Sequence, residues 1–550
     1  MSVTSKHWWQ SATVYQIYPR SFADSNGDGI GDIKGIIGKL DYLQQLGIGV
    51  IWLSPIFASP MDDNGYDIAD YQAIAPMFGD LADFDRLVAE AKARGIGILL
   101  DLVVNHTSDE HRWFTDARSS RTSRYRDYYV WRDPRPDGGL PNDIQSTFGG
   151  PAWTLDEATG QYYFHQFAKK QPDLNWANPT LRAEIYRMMN WWLDRGIAGF
   201  RMDVINLIAK EPDRGITADG PKLHEYLQEM HRETLADRDV LTVGESWSAT
   251  PESALLYSGR DRQELSMVFQ FEHVMAQWHE KWGKWQPKPF DLVALKRVIS
   301  RWQEALADDG WNSLFWGNHD LPRAVSKYGD DTHYRVESAK MLATVLHLLK
   351  GTPYVYQGEE IGMTNVPFTS IAQYRDIETL NMHRLHLDAG LREADFILGA
   401  NANGRDNSRT PMQWSDAPHG GFTTGTPWIE ANPNFASINV AAALDDEASI
   451  FAHYRKLIAL RKQMPVIVDG RYEAQLADHP RCFAYTRTLG ERMLVVLANF
   501  SGDALSVDVP EPMRGEGRCV ISNYAPADSL GARVELQPYE AFAIERAVSM

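Results

Sequence analysis

Eight short apolar runs, rich in β-branched and aromatic residues, recur through the first 357 residues: Val14–Tyr18, Gly49–Leu53, Gly97–Val104, Gly199–Val204, Val240–Gly244, Leu265–Phe271, Ser313–Trp316 and Pro353–Gln357. Helix-patterned segments separate them, among them Leu40–Leu46, Phe84–Arg94 and Leu181–Arg195. Strand and helix in alternation predict an α/β fold, and eight repeats predict a (β/α)8 TIM barrel. The rhythm breaks once. Roughly ninety residues separate the third and fourth runs, far more than a βα connection needs, so residues 105–176 read as an inserted subdomain after strand 3. Barrel segments are then expected at 1–104 and 177–471. A long polar segment follows Gln357 and leads to the helix Ile450–Lys462. From 472 to 550 the pattern turns to short alternating strands, including Cys482–Tyr485, Met493–Asn499 and Ala541–Ile544, which predict a C-terminal antiparallel β-sandwich.

Barrels present their chemistry at the carboxyl ends of the strands. Those ends carry Asp101 and His106 after strand three, Arg201 and Asp203 after four, Glu245 after five, and His319 with Asp320 after seven. Arg201 and Asp203, two residues apart, point to the same side. Any one of these residues could be a cap or a structural ion pair; several at corresponding strand ends converge on one mouth. Glycosidic cleavage uses such a set: one ionised carboxylate, one protonated carboxyl about 5–5.5 Å away for retention, and a third charge nearby.

A formal charge of −18 argues against nucleic-acid or anionic-membrane partners, while 18 Trp and 23 Tyr would supply platforms for sugar rings. Cys482 and Cys519 are the two cysteines, too few for a disulfide framework or a metal cluster. No apolar leader opens the chain and no run of about 18 apolar residues occurs. A cytoplasmic protein is expected, as a monomer or weak homo-oligomer without an organic cofactor.

The segments Asp101-Leu-Val-Val-Asn-His106, Gly199-Phe-Arg-Met-Asp-Val204, Val243-Gly-Glu245 and Asn318-His-Asp320 resemble the four motifs of glycoside hydrolase family 13, the α-amylase family. The resemblance implies Asp203 as nucleophile, Glu245 as acid/base and Asp320 as the carboxylate gripping sugar hydroxyls. It further implies His106 and His319 as donors to a glucosyl unit, with Arg201 orienting the nucleophile. The chain is most similar to the oligo-1,6-glucosidase and dextran glucosidase subgroup. Pro60–Asp67 resembles its pocket-closing loop, implying Asp63 and Tyr66 at the terminal glucose, and Gly404–Trp414 supplies Arg405 to pair with Asp63. The implied function is exo-acting, retaining hydrolysis of α-1,6 bonds in isomalto-oligosaccharides. Phe148 either walls the pocket or packs the insertion. Val204 goes with α-1,6 preference in this subgroup, by filling space an α-1,4-linked aglycone needs, although valine is also simply a good strand residue.

Asp24-Ser-Asn-Gly-Asp-Gly-Ile-Gly-Asp32 places oxygen donors at alternate positions, as a calcium loop does, but lacks the closing glutamate of an EF-hand. Similarity to the family implies one structural Ca²⁺ on Asp24, Asn26, Asp28, the Ile30 carbonyl and Asp32. An ion-free turn is the alternative. Rival functions share the barrel. A trehalose-6-phosphate hydrolase needs cations beyond the scissile bond, for which Lys281 to Lys288 are available. A sucrose isomerase carries an arginine-rich loop where this chain has His273-Val-Met-Ala-Gln-Trp278. A broader α-glucosidase would accept isomaltulose or sucrose, and a transporter accessory subunit would lack the carboxylates.

Overall fold

The computed structural model describes residues 7–525 and 528–548; the first six residues, part of the stretch read as lacking a leader, lie outside them. Eight parallel strands form the central sheet: β1 (Val14–Ile17), β2 (Val50–Leu53), β3 (Gly97–Leu102), β4 (Gly199–Met202), β5 (Leu241–Glu245), β6 (Met267–Phe269), β7 (Ser313–Leu314) and β8 (Thr352–Tyr356). Their order is sequential, with β8 beside β1. Closure between β6 and β7 rests on a single parallel bridge, Val268 to Asn312, reinforced by the Ser313 hydroxyl donating to the Val268 carbonyl at 2.7 Å. The seventh run is therefore shorter than its apolar length suggested.

Period-2 alternation sorts the barrel residues. Val14, Val50, Trp52, Leu99, Leu241, Val243, Met267, Phe269 and Tyr354 pack with one another inside the barrel. Their neighbours Tyr15, Ile51, Leu53, Ile98, Leu100, Phe200, Met202 and Val355 join a separate core with the surrounding helices. Continuing the inward set toward the strand ends replaces apolar side chains by Gln16, Asp101, Arg201 and Glu245. Register brings these ends level, Asp101 opposite Arg201 and Arg201 opposite Val243. At the start of β4 the Leu241 carbonyl would lie 1.8 Å from any Cβ on Gly199, whose φ is +137°, so only glycine fits there.

The insertion after β3 folds as a helix, Arg112–Ala117, and a small sheet of Trp131–Arg132, Gln161–Phe164 and Trp153–Asp156. The segment after β8, expected to be merely long and polar, instead forms two helices, Ile377–Asp388 and Glu393–Asn403, closing their own core of Trp285, Phe368, Tyr374 and Phe396. Its apolar residues are plentiful but spread around both helices instead of along one face, so no helical stripe marks them. The C-terminal region is a five-stranded antiparallel sheet in the order β9 (Arg471–Gln475), β10 (Cys482–Leu489), β11 (Arg492–Asn499), β13 (Ala541–Ala547), β12 (Arg518–Ser522). A second layer of short ribbons packs on it across Cys482, Val495, Leu497, Val507, Leu536 and Phe542.

Candidate active site

Arg201 organises the mouth. It is buried, and one terminal nitrogen donates to Asp101 at 2.7 Å and to Asp203 at 2.8 Å. The other contacts Glu245. Three buried carboxylates around one guanidinium leave surplus negative charge, which like-charge repulsion relieves by retaining a proton within the group. Burial raises Asp203 well above the ordinary carboxylate range against the pull of Arg201, and Glu245 and Asp101 push the same way. Asp101 is pushed up by burial to about 6 despite Arg201. Its other oxygen accepts from the Tyr66 hydroxyl at 2.9 Å and the Trp52 indole at 3.1 Å.

Val204 is not a strand residue. It follows β4 with φ 34° and ψ 44°, the left-handed region that β-branched side chains rarely enter. This turn lets Asp203 join Arg201 while the Val204 N–H points at Glu245, 3.3 Å away. Backbone strain here serves the carboxylate pair. The reading of Val204 as an ordinary strand residue is thereby corrected; its side chain lines the pocket.

The pocket, about 570 Å³, is lined by Asp63, Tyr66, His106, Phe148, Asp203, Val204, Glu245, Asp320 and Arg405 together. Tyr66 stacks on His319 with ring centroids 5.1 Å apart. Both histidines are uncharged near neutral pH: burial lowers His106 to about 4 and His319 to about 3. The His319 Nδ1 faces the Gln16 amide at 2.8 Å, and its Nε2 lies 3.2 Å from the Asp320 carboxylate; the ring is buried behind Tyr66 and Asp320 and does not itself line the pocket. The His106 Nε2 is 2.9 Å from the Tyr66 carbonyl.

Arg405 ties the loop after β2 to the segment after β8 across this pocket. It reaches Asp63 at 3.3 Å, Asp320 at 3.2 Å, Asp376 at 2.5 Å and Glu378 at 3.3 Å. Its guanidinium lies 5.1 Å over the Phe148 ring, which also packs edge-on against Phe167. Phe148 therefore both packs the insertion and walls the pocket. Arg409 adds a second cation, 2.8 Å from Asp320. Burial opposes ionisation of Asp320, but the cations Arg405 and Arg409 hold it well below the usual carboxylate range. Burial pushes Asp63 up to about 7 in spite of Arg405 and Arg409.

Sequence reasoning missed Asp376, Glu378, Arg409 and Gln171, whose amide donates to Asp63 at 3.1 Å. The spacing Arg405-x-x-x-Arg409, one helical turn, was the available signal. On the open side of the pocket, where Trp247, Trp278, Trp285, Lys284 and Lys327 gather, the sequence offered only His273 to Trp278 and Lys281 to Lys288 as candidates beyond the scissile bond; the parts played by Trp247 and Lys327 were missed. Trp247 stacks on Phe271 at 3.8 Å and its indole N–H donates to Glu245 at 2.8 Å.

The Asp24–Asp32 loop lies outside the pocket. The Asp24 carboxylate accepts from the N–H groups of Asn26, Gly27 and Gly29 and from the Thr423 hydroxyl. Asp32 caps the helix Ile33–Ile37 through the Gly35 N–H and also accepts from Ser25. Asn26 and Asp28 each hold one backbone N–H. Among the described residues no three His, Cys, Asp or Glu side chains converge as metal ligands. The donor set is nonetheless all hard oxygen, the chemistry that suits Ca²⁺, with Asp24 the donor already most engaged by the protein.

A barrel whose strand ends bring paired carboxylates, a buried guanidinium and a third carboxylate to one sugar-sized pocket defines a glycoside hydrolase. Residues 16–470 match the model of the α-amylase catalytic domain. A palatinase from Erwinia rhapontici is 60% identical over 540 residues, 98% of either chain. An oligo-1,6-glucosidase from Halalkalibacterium halodurans is 55% identical over 554 residues, again 98% of both chains. The crystal structure of trehalose-6-phosphate hydrolase from Bacillus licheniformis superposes with a TM-score of 0.94 at 46% identity, covering 99% of this chain and all of that one. The chain belongs to the α-amylase family.

Proposed function

We propose that this enzyme is an exo-acting, retaining α-glucosidase that removes glucose from the non-reducing end of substrates joined by α-1,6 bonds: isomaltose, panose, short dextrans and isomaltulose. The observation that carries the exo reading is the Arg405 bridge to Asp63 and Asp376, which closes one side of the pocket and leaves room for a terminal sugar. Asp203 and Glu245 share one guanidinium, which supports the short separation of a retaining pair, about 5–5.5 Å, over the ~6.5–9.5 Å of an inverting one.

In the mechanism this geometry supports, the proton that the carboxylate group retains resides on Glu245 in the reactive state, so that Asp203 attacks the anomeric carbon as the anion while Glu245 protonates the departing glycosidic oxygen. The covalent glucosyl-enzyme is then opened by water, from which Glu245 takes the proton back. Arg201 keeps the attacking carboxylate oriented and its charge balanced. Asp320, held ionised, accepts from sugar hydroxyls and faces the cationic transition state. The aromatic open side suits an aglycone of sugar, and Val204 beside the reacting pair restricts its approach.

Two relatives frame the substrate choice. Palatinase and oligo-1,6-glucosidase are both named for substrates with an α-1,6 glucosidic bond, and both are more similar in sequence than the trehalose-6-phosphate hydrolase. Lys284, a candidate phosphate ligand, is bound to Glu378 at 2.7 Å, which speaks against a phosphate there. His273 to Trp278 hold no arginine, and Val274 and Trp278 line the pocket, which speaks against isomerisation. We further propose a cytoplasmic enzyme, monomeric or weakly self-associating. A Ca²⁺ on the Asp24–Asp32 loop is also proposed; it would stiffen the loop and takes no part in the chemistry. Glucose release from isomaltose, isomaltulose, maltose and trehalose 6-phosphate, side by side, tests the function. Fast cleavage of the two α-1,6 substrates is expected; preference for trehalose 6-phosphate would overturn the aglycone reading.

A further inference from the structure

Behind the pocket, Lys210 is buried in the loop after β4, where a cation is costly unless its partners require it. Its ammonium lies 2.8 Å from Asp173 and 2.6 Å from the Asn105 Oδ1. Asn105 in turn donates through Nδ2 to Asp173 at 3.2 Å, and the same nitrogen is 3.1 Å from the His106 Nδ1. His106 is the pocket residue.

Donor and acceptor chemistry fixes every proton in this chain. An ammonium only donates, so the Asn105 group facing Lys210 is the carbonyl oxygen. The amide nitrogen then faces both Asp173 and His106, so the His106 Nδ1 is an acceptor. An imidazole with an acceptor Nδ1 is neutral and carries its proton on Nε2, the nitrogen beside the Tyr66 carbonyl and the Gln171 amide at the pocket wall. With Lys210 absent, only the 3.2 Å bond to Asp173 would oppose a rotation of Asn105 that offers its oxygen to Nδ1. The proton would move there, and the Nε2 lone pair would face the Tyr66 carbonyl. The arrangement at His319 shows the contrast. The Gln16 amide faces Nδ1 there too, but the Gln16 Oε1 has no hydrogen-bond partner, so no cation sets its orientation.

We propose that Lys210 is a positioning residue for catalysis: acting through Asn105, it keeps the His106 proton on Nε2, where it is donated to the Tyr66 carbonyl and is available to a sugar hydroxyl when the pocket is filled. The Lys210–Asp173 pair also ties the loop after β4 to the insertion, so a structural role must be separated from the positioning one. The inference rests on the reading of His106 as a pocket donor.

The experiment is a double-mutant cycle read with p-nitrophenyl α-D-glucopyranoside, a substrate that needs only the glucose site. His106→Ala is combined with Lys210→Met and, separately, with Asn105→Ala, which breaks the relay but leaves the Lys210–Asp173 pair; all three single variants are made alongside. Lys210→Met and Asn105→Ala are each expected to lower kcat/KM by about tenfold, but by less than about twofold once His106 is alanine, because coupled residues are not additive. Lys210 also borders a second cavity, of about 510 Å³, that shares no lining residue with the pocket and is lined by Arg126, Tyr129, Trp131 and Asn175. Methylammonium is therefore expected to restore activity to Lys210→Ala and not to Lys210→Met. Additive losses, an Asn105→Ala variant with wild-type kinetics, or no recovery with amine overturns the relay. A His106→Ala variant with wild-type kinetics overturns instead the reading of the pocket on which it rests.

Discussion

Val204→Gly separates the two tasks of the residue after the nucleophile. In the native chain this buried valine sits at φ 34°, which costs an L-residue roughly 1–2 kcal/mol that glycine does not incur. Against that relief stand the lost burial of the valine side chain, about 1.5 kcal/mol, and the extra chain entropy of glycine, about 0.5–1 kcal/mol. The sum is about −0.75 kcal/mol. Unfolding entropy for a chain of this size is on the order of 1 kcal/mol/K, so Tm should move by about 1 °C or less. Specificity should change far more. Removing a wall that excludes one aglycone alters discrimination by about 1–3 kcal/mol, or ~10- to 200-fold. The assay is kcat/KM for isomaltose and for maltose, with Val204→Ala as an intermediate step. The maltose-to-isomaltose ratio should rise at least tenfold in Val204→Gly, with the alanine variant between. An unchanged ratio in a variant with near-native Tm would refute the steric argument and leave Val204 only its backbone role.

Asp203→Asn keeps the Arg201 hydrogen bond and the fold while removing the nucleophile, so turnover should fall by roughly 10³-fold or more with isomaltose still bound; substantial residual turnover would move the nucleophile elsewhere. Calcium at ~100-fold its dissociation constant should stabilise the native state by about 2.7 kcal/mol, seen as a higher Tm with Ca²⁺ than with EDTA. That difference should vanish in Asp28→Ala, whereas equal Tm values in the native protein would make the loop an ion-free turn. Glu359 is pushed by burial up to about 8 from 4.5, with Glu360 adding to the rise and the Tyr454 hydroxyl, 2.7 Å away, opposing it. A carboxyl whose folded pKa is raised binds more protons in the native state, so its contribution to stability is full below about 4.5 and is lost as pH rises through 8. Glu359→Gln should therefore gain Tm over the native enzyme on going from pH 5 to pH 8; parallel Tm profiles would contradict a protonated Glu359.

What could be read from the sequence was whatever repeats with a local period. Inward and outward residues of the barrel alternate along single strands, so Asp101, Arg201 and Glu245 could be placed at the mouth, and Arg201 beside Asp203, before any contact was known. Arg405 and Asp63 were legible only through resemblance, since 342 residues separate them. Their neighbours Asp376 and Glu378 start a helix, Ile377–Asp388, that buries almost none of its own side chains, and a helix without an apolar stripe leaves no pattern to read. Val204 shows a different limit. Its residue type favours a strand, and the left-handed turn is imposed by what surrounds it: Asp203 pinned to Arg201, and a backbone N–H drawn toward Glu245. Lys210 shows a third limit, because a lysine seven residues beyond the nucleophile looks like any surface lysine. It gains meaning only when the insertion folds back and places Asp173 beside Asn105. The residues that bind charge across chain-distant elements are thus the ones that local pattern hides, and in this pocket they fix the orientation of nearly every group whose chemistry the strand ends announce.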